Sequence, residues 1–236
     1  MMVLPAKVFE VTDPPPLSTM AERLEGFREE EVYETEDGGK LTLITEVINL
    51  GLEEDLLSGV FCRDFVKRRY YRGRSHETPV TEEAPFWFKR FDGRVFLIVL
   101  APSVARGVKK LLTSHVANKL GEVIFGERWR IVEARIPHET LKELHESNPQ
   151  ATKLIWFDDI DIPGIEKLCL SGPSLADTSL YHEYLKHGKI WYVVFEVVKR
   201  GIVVGVTRDC VVTLFSKSTI ENFVEYIMED ILKLIE

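Results

Sequence analysis

The chain has 236 residues, 45% hydrophobic and 29% charged, a composition expected of a globular protein with one large domain or two small ones. A formal net charge of −8 excludes a general nucleic-acid coat protein. Apolar runs such as Val95 to Ala101 are too short to cross a bilayer, which excludes a helical membrane protein.

Lys7 to Val11 reads as a short strand, ended by the extended Pro14-Pro15-Pro16 turn. Ser18 or Thr19 is expected to cap a helix reaching about Phe27, followed by a solvated acidic run at Glu29, Glu30 and Glu31. Asp37-Gly38-Gly39 is a turn, Leu41 to Leu50 a strand, and Leu52 to Leu57 a single helical turn. Val60 to Tyr71 reads as a strand and Gly73 to Pro85 as a polar loop. Phe86 to Phe91 and Arg94 to Leu100 form a hairpin, because Asp92-Gly93 suits a tight turn with positive φ at both central residues. A helix is expected over Val104 to Leu120, with Val104, Val108, Leu111, Leu112 and Val116 on its apolar stripe.

The second half reads in a similar order. Arg130 to Ile136 is a strand, His138 to Ser147 a helix broken by Asn148-Pro149, and Lys153 to Ile162 a strand. A variable stretch runs to Gly188, then Ile190 to Val198, Ile202 to Val206 and Cys210 to Phe215 are strands. Ser218 and Glu221 read as the capping box of a last helix.

Two segment pairs recur at nearly one offset. Residues 52–59 match 165–172, and the stripe from Val104 to Val116 matches that from Ile220 to Leu232. This predicts an α+β protein with internal duplication: an antiparallel sheet with helices on one face, repeated over residues 1–122 and 123–236 about a pseudo-twofold axis. The helix-free sheet face is then solvated or binds something.

Residues 202–214 with the following capped helix, and Asn49-Leu50-Gly51, resemble the TATA-binding-protein-like fold. The segments Lys7 to Phe27 and Trp87 to Leu120 look more like the RdgC class of DNA-binding recombination proteins. The resemblance implies a tandem sheet-and-helix scaffold that contacts DNA. It departs from TATA-box binding, because Thr207 and Arg208 stand where a kinking phenylalanine pair is expected and Phe91 has no partner.

Charge is concentrated along the chain. Residues 1–40 hold 4 basic and 10 acidic residues, residues 41–125 hold 13 and 10, and residues 126–236 hold 13 and 18. The basic excess centres on Arg63, Lys67, Arg68, Arg69, Tyr70, Tyr71, Arg72 and Arg74. Cations neutralise phosphates and aromatic faces stack on bases, so this segment is the candidate nucleic-acid site. Alternation places Lys67, Arg69 and Tyr71 on one face, and Lys89, Arg90 and Arg94 are expected to enlarge the patch. The plain alternative is a solvated edge strand whose charges block aggregation.

Asp158, Asp159 and Asp161 invite a metal-dependent nuclease reading, although alternation points Asp158 away from the other two. The six histidines lack zinc spacing; His115 reads as a core-edge residue, and His182 and His187 are acid–base candidates. There is no nucleophile elbow, phosphate loop or dinucleotide fingerprint, so no catalytic residue, metal or cofactor is assigned. Three cysteines without CxxC spacing and no secretory leader pattern point to reduced thiols and the cytoplasm. The function expected is a non-enzymatic binding or regulatory protein. It would contact nucleic acid or a nucleic-acid-associated protein, without a membrane and as a possible homodimer. A protein–protein adaptor with no nucleic-acid contact is the alternative.

Overall fold

The computed structural model describes residues 3–101, 113–147 and 150–236. In these the chain is an α+β protein of twelve strands and five α-helices, in which neighbouring strands pair antiparallel. In chain order the elements are β1 (Leu4–Val11), α1 (Leu17–Leu24), β2 (Arg28–Glu34), β3 (Lys40–Leu52), β4 (Leu56–Tyr71), β5 (Arg74–Phe91), β6 (Arg94–Leu100) and α2 (Thr113–Phe125). They continue with β7 (Ile131–Glu133), α3 (His138–Ser147), β8 (Thr152–Asp158), β9 (Leu168–Ser171), α4 (Ser179–His187), β10 (Lys189–Val197), β11 (Ile202–Thr207), β12 (Val211–Leu214) and α5 (Ile220–Tyr226). The chain separates into two compact units, Phe9–Val132, and Met1–Val8 with Glu133–Glu236.

In the unit Phe9–Val132 the strands run as a meander, β2-β3-β4-β5-β6. Register aligns Val47, Phe61 and Ala84 in one row across the sheet and Leu57, Phe88 and Leu97 in another, all buried. Met20 and Leu24 of α1 and Val116, Leu120 and Ile124 of α2 join the same core. Gly59 sits in this layer because Phe86 lies across it; a Cβ there would come 2.7 Å from the Phe86 ring. The β5–β6 turn has φ of 47° at Asp92 and 74° at Gly93, as the sequence predicts.

In the other unit the order is β1-β12-β11-β10-β8-β9. Ile155, Val193, Val206 and Val212 form a fully buried row, while Leu154, Val194 and Thr213 in the next row stay half-buried. That alternation is the mark of a sheet covered on one side. Helix α3 packs on β10, and Phe223, Val224, Ile227 and Ile231 of the C-terminal helical segment are buried.

Several local expectations are corrected. Leu52 ends β3 and Leu56 begins β4, so residues 52–57 hold no helical turn. The expected loop Gly73 to Pro85 is strand: β4 and β5 form one long hairpin. Helix α1 begins at Leu17 with Ser18 and Thr19 inside it, and it has no side-chain cap. The cap of α5 is Thr219, whose hydroxyl accepts from the Asn222 amide, and the helix widens into a π-turn over Ile227–Ile231. The variable stretch before Gly188 contains β9 and α4. Of the matched segments, Leu56 to Ser58 opens β4, paired on both sides, whereas Leu168–Ser171 is β9, paired with β8 alone among the described residues. Val104, Val108, Leu111, Leu112 and the Asn148-Pro149 break lie outside the described residues.

Ile227 is fully buried within the π-turn. Ile227→Ala is expected to lower unfolding stability by roughly 2–5 kcal/mol, measured as a shift in the chemical-denaturation midpoint.

Candidate nucleic-acid interface

The β4–β5 ladder runs unbroken from Leu56↔Lys89 to Tyr71↔Arg74. Strand β3 pairs with β4 only as far as Thr45↔Arg63, and β6 pairs with β5 only from Phe86 to Phe91. Beyond Arg63 the two strands therefore continue as an arm, the last eight residues of β4 spanning about 27 Å at strand rise. Asp64 marks the departure: its carboxylate accepts the Ile44 amide at 2.9 Å and the Thr81 hydroxyl at 2.6 Å. The tip turns through Arg72 (φ 47°) and Gly73 (φ 75°), the same positive-φ pair that closes β5–β6.

Between Arg63 and His76 six cations face one carboxylate, Asp64. The structure separates these cations by environment. Arg68 is neutralised by Glu36 at 2.6 Å and Glu77 at 2.9 Å. Glu77, with its side chain 4% exposed, also accepts from the Tyr33 hydroxyl and the Glu36 amide. That amide first, and Arg68 second, hold its carboxyl below the usual range. The β2–β3 turn thus braces the arm from one face.

Lys67, Arg69, Arg72 and Arg74 form no ion pair among the described residues. Register puts Lys67 and Thr78, Arg69 and His76, and Tyr71 and Arg74 side by side on one face, opposite to Arg68 and Glu77. This is the face on which Phe61 and Ala84 are buried nearer the core. Tyr70 and Tyr71 are 74% and 63% exposed, and the Arg72 guanidinium lies 5.4 Å from the Tyr71 ring centre.

The remaining predicted residues lie elsewhere. Arg63 enters a cleft of about 490 Å³ beside α2, where it meets His115 and where Lys119 pairs with Glu29 and Arg128 with Glu122. Carboxylates outnumber cations in that lining, so it does not extend the arm's positive surface. Lys89 and Arg90 lie at the core end of β5, about 37 Å along the strand from Thr78, with Lys89 held by Asp55 at 2.5 Å. Arg94 chelates Glu10 at 2.8 and 2.7 Å. Sequence reasoning missed His76 and Thr78, which were assigned to a loop, and the Tyr33–Glu36–Glu77 brace, which joins residues distant in sequence.

The acidic cluster is occupied by cations of the chain itself. Arg208 reaches both Asp158 oxygens at 2.7 Å and Asp159 at 3.4 Å, and Asp161 meets His187 at 2.8 Å. Among the described residues no group of three metal-ligating side chains converges. Cys62 and Cys210 are buried and Cys169 is exposed, all as free thiols. No described helix is long and apolar enough to cross a membrane. Neither family models nor curated proteins match this chain.

His145 is buried, with Nδ1 2.8 Å from the Thr152 hydroxyl and its ring 4.9 Å from that of Tyr181. Burial pushes its imidazolium pKa down. The unfolded chain takes up this proton near pH ~6.5 and the folded chain resists it, so stability holds above that pH and falls below it. His187, raised by Asp161 and then Glu183, contributes with the opposite sign: its stabilisation is present at low pH and lost as pH rises through its folded value. Denaturation midpoints measured from neutral to mildly acidic pH should therefore fall less steeply in His145→Leu than in the parent. Parallel profiles would remove His145 as the source.

Proposed function

We propose that this is a non-enzymatic protein that binds nucleic acid through the β4–β5 arm. The observation that carries this reading is the sorting of the cations: Arg68, Lys89 and Arg94 have carboxylate partners, while Lys67, Arg69, Arg72 and Arg74 have none among the described residues. Like charges held side by side repel one another unless an anion is shared between them. Phosphates supply such anions, and release of their counterions adds to affinity. The exposed Tyr70 and Tyr71 add aromatic surface at the same end. With a net charge of −8 on the whole chain, contact with a polyanion is confined to this arm.

The internal duplication and a cytoplasmic location belong to the same proposal. Each unit closes with a three-stranded meander and a helix, β4-β5-β6 with α2 and β10-β11-β12 with α5, which supports a common origin. Three free thiols suit a reducing compartment. A second reading, a protein adaptor, is favoured by the acidic segment 29–37, which contains no cation and in which Glu31 and Glu34 make no ion pair among the described residues, leaving them to a basic protein partner.

The test is a titration of labelled oligonucleotides at low and moderate salt. The parent should bind with a steep salt dependence. Lys67→Ala with Arg69→Ala should weaken binding and flatten the logarithmic salt slope by about one unit per lost phosphate contact. Binding no stronger than that of an equally acidic control protein would leave the adaptor reading.

A further inference from the structure

We infer that the arm enters the major groove of double-stranded DNA; this rests on the nucleic-acid reading above. The arm is a two-stranded ribbon with strands about 4.8 Å apart, and a B-form major groove, about 12 Å wide, admits such a ribbon. It runs about 27 Å beyond its pairing with β3; the β2–β3 turn lies against the face of Arg68 and Glu77, and Arg69, Tyr71, Arg74, His76 and Thr78 on the other face are exposed.

The two faces of the ribbon differ in a way that orients it. One presents Lys67, Arg69 and Arg74 with Thr78 and His76 between them, side chains able to donate to base edges and phosphates. The other carries Val66, Pro79 and the Arg68–Glu77 pair, backed by Glu36. Carboxylates behind the ribbon repel a phosphate backbone, so a duplex meets the cationic face.

A single strand is a poorer fit. Binding one requires successive aromatic rings for the bases. On the cationic face of the arm Tyr71 and His76 are the exposed rings, and the half-buried Phe65 ring already has the Arg63 guanidinium 5.5 Å from its centre. Duplex RNA is excluded by shape, because the A-form major groove is too deep and narrow for side chains to read.

The experiment uses the full chain and four labelled probes of one sequence: duplex DNA, duplex RNA, and the DNA and RNA single strands. At one salt concentration duplex DNA should bind roughly tenfold tighter than the others. Replacing guanine by 7-deazaguanine removes a major-groove acceptor without altering the backbone. It should weaken the parent and leave Arg69→Ala/Arg74→Ala, whose thermal melt serves as the folding control, unaffected. Equal or tighter binding to a single strand or to duplex RNA, or indifference of the parent to 7-deazaguanine, overturns the groove assignment while nucleic-acid binding stands. Absence of binding to all four probes overturns both.

Discussion

Hydrogen bonding between β4 and β5 joins the hydrophobic core of one unit to a row of exposed cations. At the core end the ladder aligns Leu57 with Phe88 and Phe61 with Ala84, and two helices bury those rows. At the far end the same ladder holds Lys67, Arg69 and Arg74 on one face, where their mutual repulsion opposes order. Cooperative pairing anchored in the core offsets that repulsion, and the Tyr33–Glu36–Glu77 contacts to Arg68 add a second anchor midway. At its root Gly59 leaves room for the Phe86 ring, so the two strands pack without a steric break where the arm leaves the core.

The fold was legible wherever the signal was local. Asp92-Gly93 announced its turn, and the alternation around Lys67, Arg69 and Tyr71 placed three side chains on one face. It was least legible at Arg72-Gly73, an equivalent turn that lacks the Asn or Asp favoured at positive φ. Pro79 and Pro85 obscure the strand, since proline donates nothing to a ladder. Both lie where β5 has only β4 beside it among the described residues, so an outward-facing position is available to each. The Leu52–Leu57 turn was misassigned because a short Glu-Glu-Asp connection between strands has helix-favouring composition. The recurrence of residues 52–59 at 165–172 occupies strand positions with different neighbours. A match of short apolar and polar residues records strand propensity there as readily as ancestry.

Part of the candidate site was visible in the sequence and part required tertiary structure. Six cations within twelve residues identify a segment, but which of them are available depends on carboxylates distant in the chain. Glu77, nine residues from Arg68, becomes its neighbour only through the tip turn, and Glu36 only through the β2–β3 hairpin. The same holds for Asp158, whose apparent metal-binding potential is taken up by Arg208, fifty residues away.

Acidic β2 and the basic arm tip belong to one compact unit, which gives that unit a permanent separation of charge. On the proposed nucleic-acid reading, such a body would rotate in the field of an approaching polyanion before contact, presenting the face of Lys67 and Arg69 rather than the braced face of Glu36 and Glu77. The benefit appears in the rate of productive encounter and fades as the screening length shrinks toward about 8 Å at physiological ionic strength. If the arm binds a polyanion, the β2 glutamates would thus help determine how often a collision begins with the cationic face.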